Sequence, residues 1–175
     1  SVGLSTEIIY SFFNIIIAVG VSTALTSLIS RAIGSKDYKK AEIIANAGIK
    51  IAVVLAFIFF SLLFFIPDKI LNLAGATKEM LPLATRYAKI SSFSFFLLTL
   101  SSTTNGIFRG IKDTKTSLYV AGSINIVNLF LDYVLIFGNL GFPEWGITGA
   151  AVATVAGNFI GILFQWTRLK KLPFK

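Results

Sequence analysis

Five stretches of this sequence run for about twenty residues with at most one charged side chain: Ile8 to Ser30, Ile51 to Pro67, Ile90 to Phe108, Thr116 to Phe137 with Asp132 as its interruption, and Trp145 to Thr167. Crossing a hydrocarbon layer of about 30 Å takes roughly 20 residues of α-helix, so each stretch is a candidate span. Lipid offers no partner to an open backbone amide or carbonyl, and the runs lack the alternation of barrel strands. Each is therefore expected to be a helix.

Composition closes the soluble alternative. Apolar residues make up 55% of the 175 and charged residues 14%, against roughly 25% charged in a soluble domain. With Phe alone occurring 17 times, there is more apolar surface than one small core can hide from water. The expected fold class is all-α: a polytopic membrane protein with a bundle of about five transmembrane helices. Gly34 and Gly110 can end helices, Ser35, Asp37, Asp113 and Thr114 can cap the next, and Gly138, Gly141, Pro143 and Gly146 mark a loop. These signals divide residues 1–175, read as one bundle, into helices at about 6–34, 38–67, 77–110, 114–138 and 145–169. In this division Thr77 to Lys89 lies at the membrane surface. The chain opens on Ser-Val-Gly, carries no leader with a small-residue cleavage site, and stops at Leu172-Pro173-Phe174-Lys175, so it is expected to be a piece of a longer polypeptide.

Cysteine and histidine are both absent, which removes disulfides, Cys or His metal centres and every catalytic arrangement that needs a thiolate or imidazole. No enzymatic activity is expected, and no cofactor beyond a coupling ion. The formal charge of +8 does not mark a nucleic-acid partner, because a DNA-binding domain clusters its charge without long apolar runs. Here the basic residues sit between the runs and report orientation. Arg31, Lys36, Lys39, Lys40, Lys50, Arg109, Lys112, Lys115, Arg168, Lys170, Lys171 and Lys175 fall on one side, and only Lys69, Lys78, Arg86 and Lys89 on the other. Twelve against four places loops 31–50 and 109–115 and the C-terminal end in the cytoplasm of a multi-pass plasma-membrane protein. An internal echo accompanies this pattern: Arg31-Ala-Ile-Gly-Ser-Lys-Asp37 resembles Arg109-Gly-Ile-Lys-Asp113 on the same side.

The residue that most suggests chemistry is Asp132, some 17 residues after Lys115 and hence about 26 Å along the helix, in its outward half. A carboxylate at such depth costs about 2.5 kcal/mol or more unless neutralised, paired or hydrated, so it is a functional candidate by default; the bland alternative is an interfacial residue reaching the outer headgroups. Asn125 and Asn128 precede it by seven and four residues and share its helical stripe, which should point into the bundle or a wet cavity. Interhelical glue is the competing role for such amides. The third helix offers Ser101, Ser102, Thr103, Thr104 and Asn105, and the fifth offers Thr154 and Asn158 among small residues that allow close packing. For the hydroxyls, back-bonding to their own helix is the simpler account. Phe12, Phe13, Phe57, Phe59, Phe60, Phe64 and Phe65 read as lipid-facing bulk, and Trp145 and Trp166 suit interfacial belts.

At four separated places the sequence resembles the multidrug and toxic compound extrusion (MATE) family: Leu28-Ile29-Ser30-Arg31-Ala32-Ile33-Gly34 before Asp37-Tyr38, Asn105-Gly106-Ile107-Phe108-Arg109-Gly110 before Asp113-Thr114, Asn125-Ile126-Val127-Asn128-Leu129-Phe130-Leu131-Asp132, and Gly149-Ala150-Ala151-Val152-Ala153-Thr154. The resemblance implies a two-lobe transporter of which these are helices two to six of the N-terminal lobe. It also implies a cation or proton site at Asp132 with Asn105, Asn128 and Thr154 as neighbours, and Asn125 and Asn158 close by. No metal beyond a Na⁺ at Asp132 is expected. The family's first helix, with a further acidic residue in many members, and the second lobe would be missing partners alongside the lipid bilayer and a small organic substrate. The function so implied is an H⁺- or Na⁺-coupled antiporter exporting drug-like molecules. A flippase for lipid-linked oligosaccharides, or a structural or channel-forming membrane subunit, is the alternative.

Overall fold

The computed structural model describes residues 19–73, 81–170 and 172. The chain forms α1 (Gly20–Gly34), α2 (Tyr38–Phe65), α3 (Pro67–Leu73), α4 (Leu81–Gly110), α5 (Thr114–Leu135), a 3-10 turn (Asn139–Gly141) and α6 (Ile147–Leu169), with no strand among the described residues. Residues 6–18 and 77–80, at the expected starts of the first and third helices, and Phe12 and Phe13 lie outside the described residues. The second helix stops at Phe65, before the expected 67. Ile66 leaves helical geometry at φ −127° and ψ 37°, and Pro67, which has no N–H to lose, opens α3.

The two short turns are alike in detail. After α1, the N–H groups of Lys36 and Asp37 bond to the carbonyls of Ile33 and Ala32; after α4, those of Lys112 and Asp113 bond to Arg109 and Phe108. Lys36 and Lys112 both take left-handed backbone conformations, at φ 60° and 65°. Asp37 then accepts from the N–H of Lys40, and Asp113 from the N–H and hydroxyl of Thr116. Each turn thus closes one helix with a left-handed residue and caps the next with a carboxylate. The echo between Arg31–Asp37 and Arg109–Asp113 is a repeated turn geometry. The Asp113 carboxyl is held below its usual range chiefly by the Thr116 hydroxyl, against an opposing effect of burial, while the Thr116 N–H and the charges of Arg168 and Lys115 add smaller downward effects.

Among the described residues, three helices are long and apolar enough to cross a membrane: Tyr38–Phe65, Thr114–Leu135 and Thr148–Leu169. The 30-residue α4 is not one of them, because Ser, Thr and Asn dilute its apolar run. Its position explains why that is tolerated. α4 packs against α1, α2 and α6 and also meets α3 and α5, and its Ser92, Thr99, Ser101 and Thr103 are buried. Thr99, Thr103 and Thr104 donate to the carbonyls of Phe95, Thr99 and Leu100 on their own helix, so the hydroxyls need no lipid-free partner elsewhere.

α2 has the opposite character. Its buried stripe is Ala41, Ala45, Gly48, Ala52 and Ala56, while Ile51, Val54, Phe57, Leu62 and Phe65 are exposed. Small residues inward and bulky apolar residues outward is the pattern of a helix between protein and lipid. The reading of all its phenylalanines as lipid-facing is corrected in part: Phe59 stacks against Phe95 of α4, and Phe60 and Phe64 meet Phe93.

Candidate functional site

Three of the expected site residues, Asn128, Asp132 and Thr154, lie on the α5–α6 pair. Glycines bring the helices close: a Cβ on Gly149 would come within 2.6 Å of the Leu135 carbonyl oxygen, and one on Gly157 within 3.2 Å of that of Ile124. Across this contact Asn128 Nδ2 donates to Thr154 Oγ1 at 3.4 Å, and Thr154 in turn donates to the Ala150 carbonyl at 2.9 Å. One turn beyond Asn128, the Asp132 side chain is half-buried, and its Oδ1 is sealed from solvent without a hydrogen-bond partner. A buried carboxylate oxygen left bare is costly, and a proton or a small cation would relieve it.

One expected neighbour, Asn125, is exposed, although at seven residues before Asp132 it shares that helical stripe. Asn105 is the larger correction. It lies five residues before the end of α4 at Gly110, whereas Asp132 lies eighteen residues after the start of α5 at Thr114. These distances from the shared turn are about 7 Å and 27 Å. α6 supplies a second ruler: Thr154 meets Asn128, while Gln165 Nε2 donates to the Ser101 carbonyl at 3.1 Å. Those two α6 positions are about 16 Å apart, and Asn105 is a further turn, about 6 Å, beyond Ser101. The structure therefore separates Asn105 from the Asp132 region by about 20 Å along the bundle. Its Oδ1 is buried without a partner. Asn158 is 5% exposed on α6, one turn from Thr154 and on the side that Gln165 turns towards α4.

Two polar features escaped the sequence reading. Gln165 is 1% exposed, and its Oε1 has no partner; the signal was an amide in an uncharged run, seven residues after Asn158. The other is a ladder between α1 and α4, in which Ser22, Thr26 and Ser30 donate to the carbonyls of Ser102, Gly106 and Gly110 at 2.7, 3.0 and 3.2 Å. Its signal was three hydroxyls at four-residue spacing. The ladder holds the helices parallel, and Gly106 makes it possible, since a Cβ there would come within 2.5 Å of the Ser22 carbonyl oxygen. Near the α1–α2 turn a separate cleft of about 250 Å³ has Glu42 and Asn46 beside Ala45, Ile49 and Ile107.

The family model described as MatE matches residues 1–134. A probable multidrug resistance protein NorM of Thermotoga maritima is 32% identical over 161 residues, covering 91% of this chain and 34% of that protein. Another probable NorM, of Rhizobium meliloti, is 28% identical over 170 residues, covering 97% of this chain and 36% of the relative. The fold superposes on an outward-facing multidrug resistance MATE transporter of the MOP superfamily with a TM-score of 0.83 at 27% identity, covering 99% of this chain and 38% of that one. An inward-facing MATE transporter gives 0.78 at 28% identity, with 89% and 34% covered. The chain thus spans about a third of the length of these relatives.

Proposed function

The chain belongs to the MatE family of multi-pass membrane transporters, and on that premise we propose that it works as part of one lobe of an ion-coupled antiporter that exports small organic molecules, with H⁺ or Na⁺ bound at Asp132. The observation that carries this reading is the Asp132 oxygen buried without a partner, one turn from the Asn128–Thr154 pair. An empty site leaves a bare negative charge in a medium that disfavours it; an occupied site is neutral. A conformation that hydrates the empty carboxylate and one that encloses the filled one differ in ion affinity, and that difference is what lets an ion gradient drive a conformational cycle. Asn128 and Thr154 supply oxygen and amide groups beside the carboxylate, which suits a proton or Na⁺. The resemblance to both outward-facing and inward-facing transporters agrees with lobes that move largely as bodies.

The test uses the full-length transporter reconstituted in vesicles. Asp132→Asn keeps nearly the same volume without the charge, so gradient-driven export should be abolished while substrate binding persists. Normal ion-driven export by this variant would remove the coupling role. Orientation belongs to the same proposal: the twelve-to-four basic asymmetry puts the α1–α2 and α4–α5 turns in the cytoplasm. Cysteines at Ser35 and Asn139 should then label from opposite sides, and external labelling of the first but not the second would reverse the topology. A flippase for anionic lipid-linked sugars would need several cationic side chains along a cavity wall. Among the described residues, Arg109 at the end of α4 is hydrogen-bonded into a helix seam through Ser22.

A further inference from the structure

Arg109 stands in the last turn of α4. A long cationic side chain at a helix end beside lipid ordinarily snorkels out to the headgroups. Arg109 points the other way. A guanidinium nitrogen donates to Ser22 Oγ at 2.7 Å, while that hydroxyl donates to the Ser102 carbonyl at 2.7 Å. Ser102 lies seven residues before Arg109, so its level is about 10 Å further into the membrane along the helix. The lean of side chains towards a helix N-terminus assists the reach. The anchor is rigid, because Ser22 is 1% exposed and is wedged against Gly106 in the α1–α4 ladder.

Arg109 is nevertheless exposed on the surface of the bundle, and Ser22 is the partner seen among the described residues. On α1, the helix that carries Ser22, the exposed residues Thr23, Ala24 and Ser27 are small or polar beside an exposed Leu28, whereas the exposed side of α2 includes Ile51, Val54, Phe57, Leu62 and Phe65. A guanidinium cannot discharge by losing its proton, and its planar fork matches a carboxylate with two parallel hydrogen bonds. A lipid phosphate sits at the headgroup level, short of the depth to which Ser22 draws the charge. About two thirds of the length of the relatives lies beyond this chain, which leaves ample polypeptide to supply the anion.

We infer that Arg109 holds a carboxylate presented by the opposite lobe, and that this ion pair fastens the cytoplasmic side of the transporter shut in one of its conformations. The inference rests on the two-lobe antiporter reading. In that arrangement Ser22 keeps the guanidinium at the lobe surface when the carboxylate withdraws.

The experiment measures labelling of Ser27→Cys by a membrane-impermeant maleimide from the cytoplasmic side of the full-length transporter in vesicles. Arg109→Gln should speed labelling about tenfold by shifting the population towards the cytoplasm-open state. Arg109→Lys, which keeps the charge and lacks the fork, should fall between. Arg109→Glu should likewise open the cytoplasmic side, and reversal of one acidic residue of the second lobe to Arg should restore slow labelling; that rescue identifies the partner. Wild-type labelling rates in folded Arg109→Gln protein would overturn the inference. So would a labelling rate governed by the anionic lipid content with no rescue from the second lobe, which would make a headgroup phosphate the ligand. Asp132→Asn serves as the control for the underlying reading: loss of ion-driven export there, with unchanged Arg109→Gln labelling, would defeat the latch alone.

Discussion

The α1–α4 seam and the α5–α6 seam are both built from glycines facing backbone and from short polar side chains, yet they leave their polar groups in different states. On the first, Ser22 and Ser30 donate to carbonyls one helix away and Thr26 shares its proton between the Ser22 carbonyl of its own helix and that of Gly106, so these hydroxyls are all satisfied. On the second, the Asn128–Thr154 bond is long at 3.4 Å and the neighbouring Asp132 oxygen has no partner. A satisfied polar seam is adhesive. A seam that leaves a carboxylate wanting an ion is responsive, since what occupies it changes its energy. Under the proposed function, the first seam is architecture and the second is the working site.

Substitutions that break only the packing of each seam should have the largest effects, and similar ones. Gly106→Val and Gly149→Val drive side-chain carbon into backbone, and each should destabilise the fold by about 3 kcal/mol or more, read as loss of folded, detergent-stable full-length protein. If either is tolerated, the close approach described for that seam is wrong. Removing the cap of a repeated turn comes next: Asp37→Ala or Asp113→Ala should each cost about 1 kcal/mol, measured as a lowered melting temperature. The Asp113 effect has a pH signature. Its folded-state pKa is depressed below 3.8, so the stabilisation is fully present above the unfolded value and is lost only as pH falls through the still lower folded value. Across the neutral range the difference between wild type and Asp113→Ala should stay flat.

Smaller changes separate the seams by function. Thr26→Ala or Ser30→Ala should cost about 0.6 kcal/mol each and leave the dependence of export on the ion gradient untouched. Asn128→Ala should cost about as little in stability but weaken ion coupling measurably, seen as a shift in the pH or Na⁺ concentration giving half-maximal export. Equal effects of the two classes on coupling would erase the distinction. Asn125→Leu, at an exposed position, should change neither stability nor coupling.

Much of this arrangement was legible in the residue order. Charged residues and caps mark the turns at Asp37 and Asp113, because a membrane helix has to end where water can solvate charge. The role of α4 was not legible: hydropathy judges a helix by its own residues, while burial is decided by the helices around it, and a surrounded helix can afford Ser92, Thr99 and Thr103. The break at Ile66 was hidden because Pro67 is as compatible with a new first turn as with an ending. For the candidate site, the Asn128–Thr154 contact joins two residues that the family resemblance had named as neighbours of Asp132. The placing of Asn105 beside Asp132 did not survive, and counting residues from the common turn separates them without reference to side chains. Gln165 went unnoticed because a single amide within an apolar run carries no periodic signature.

The central claim, that the Asp132 carboxyl binds the coupling ion, is tested most directly by infrared difference spectroscopy on the full-length transporter in lipid, comparing states with and without the ion gradient. The account predicts a carboxyl or carboxylate band that changes with pH or Na⁺ in the wild type, disappears in Asp132→Asn and persists in Ser22→Ala. An unchanged difference spectrum in Asp132→Asn would show that the ion binds elsewhere and would contradict the account.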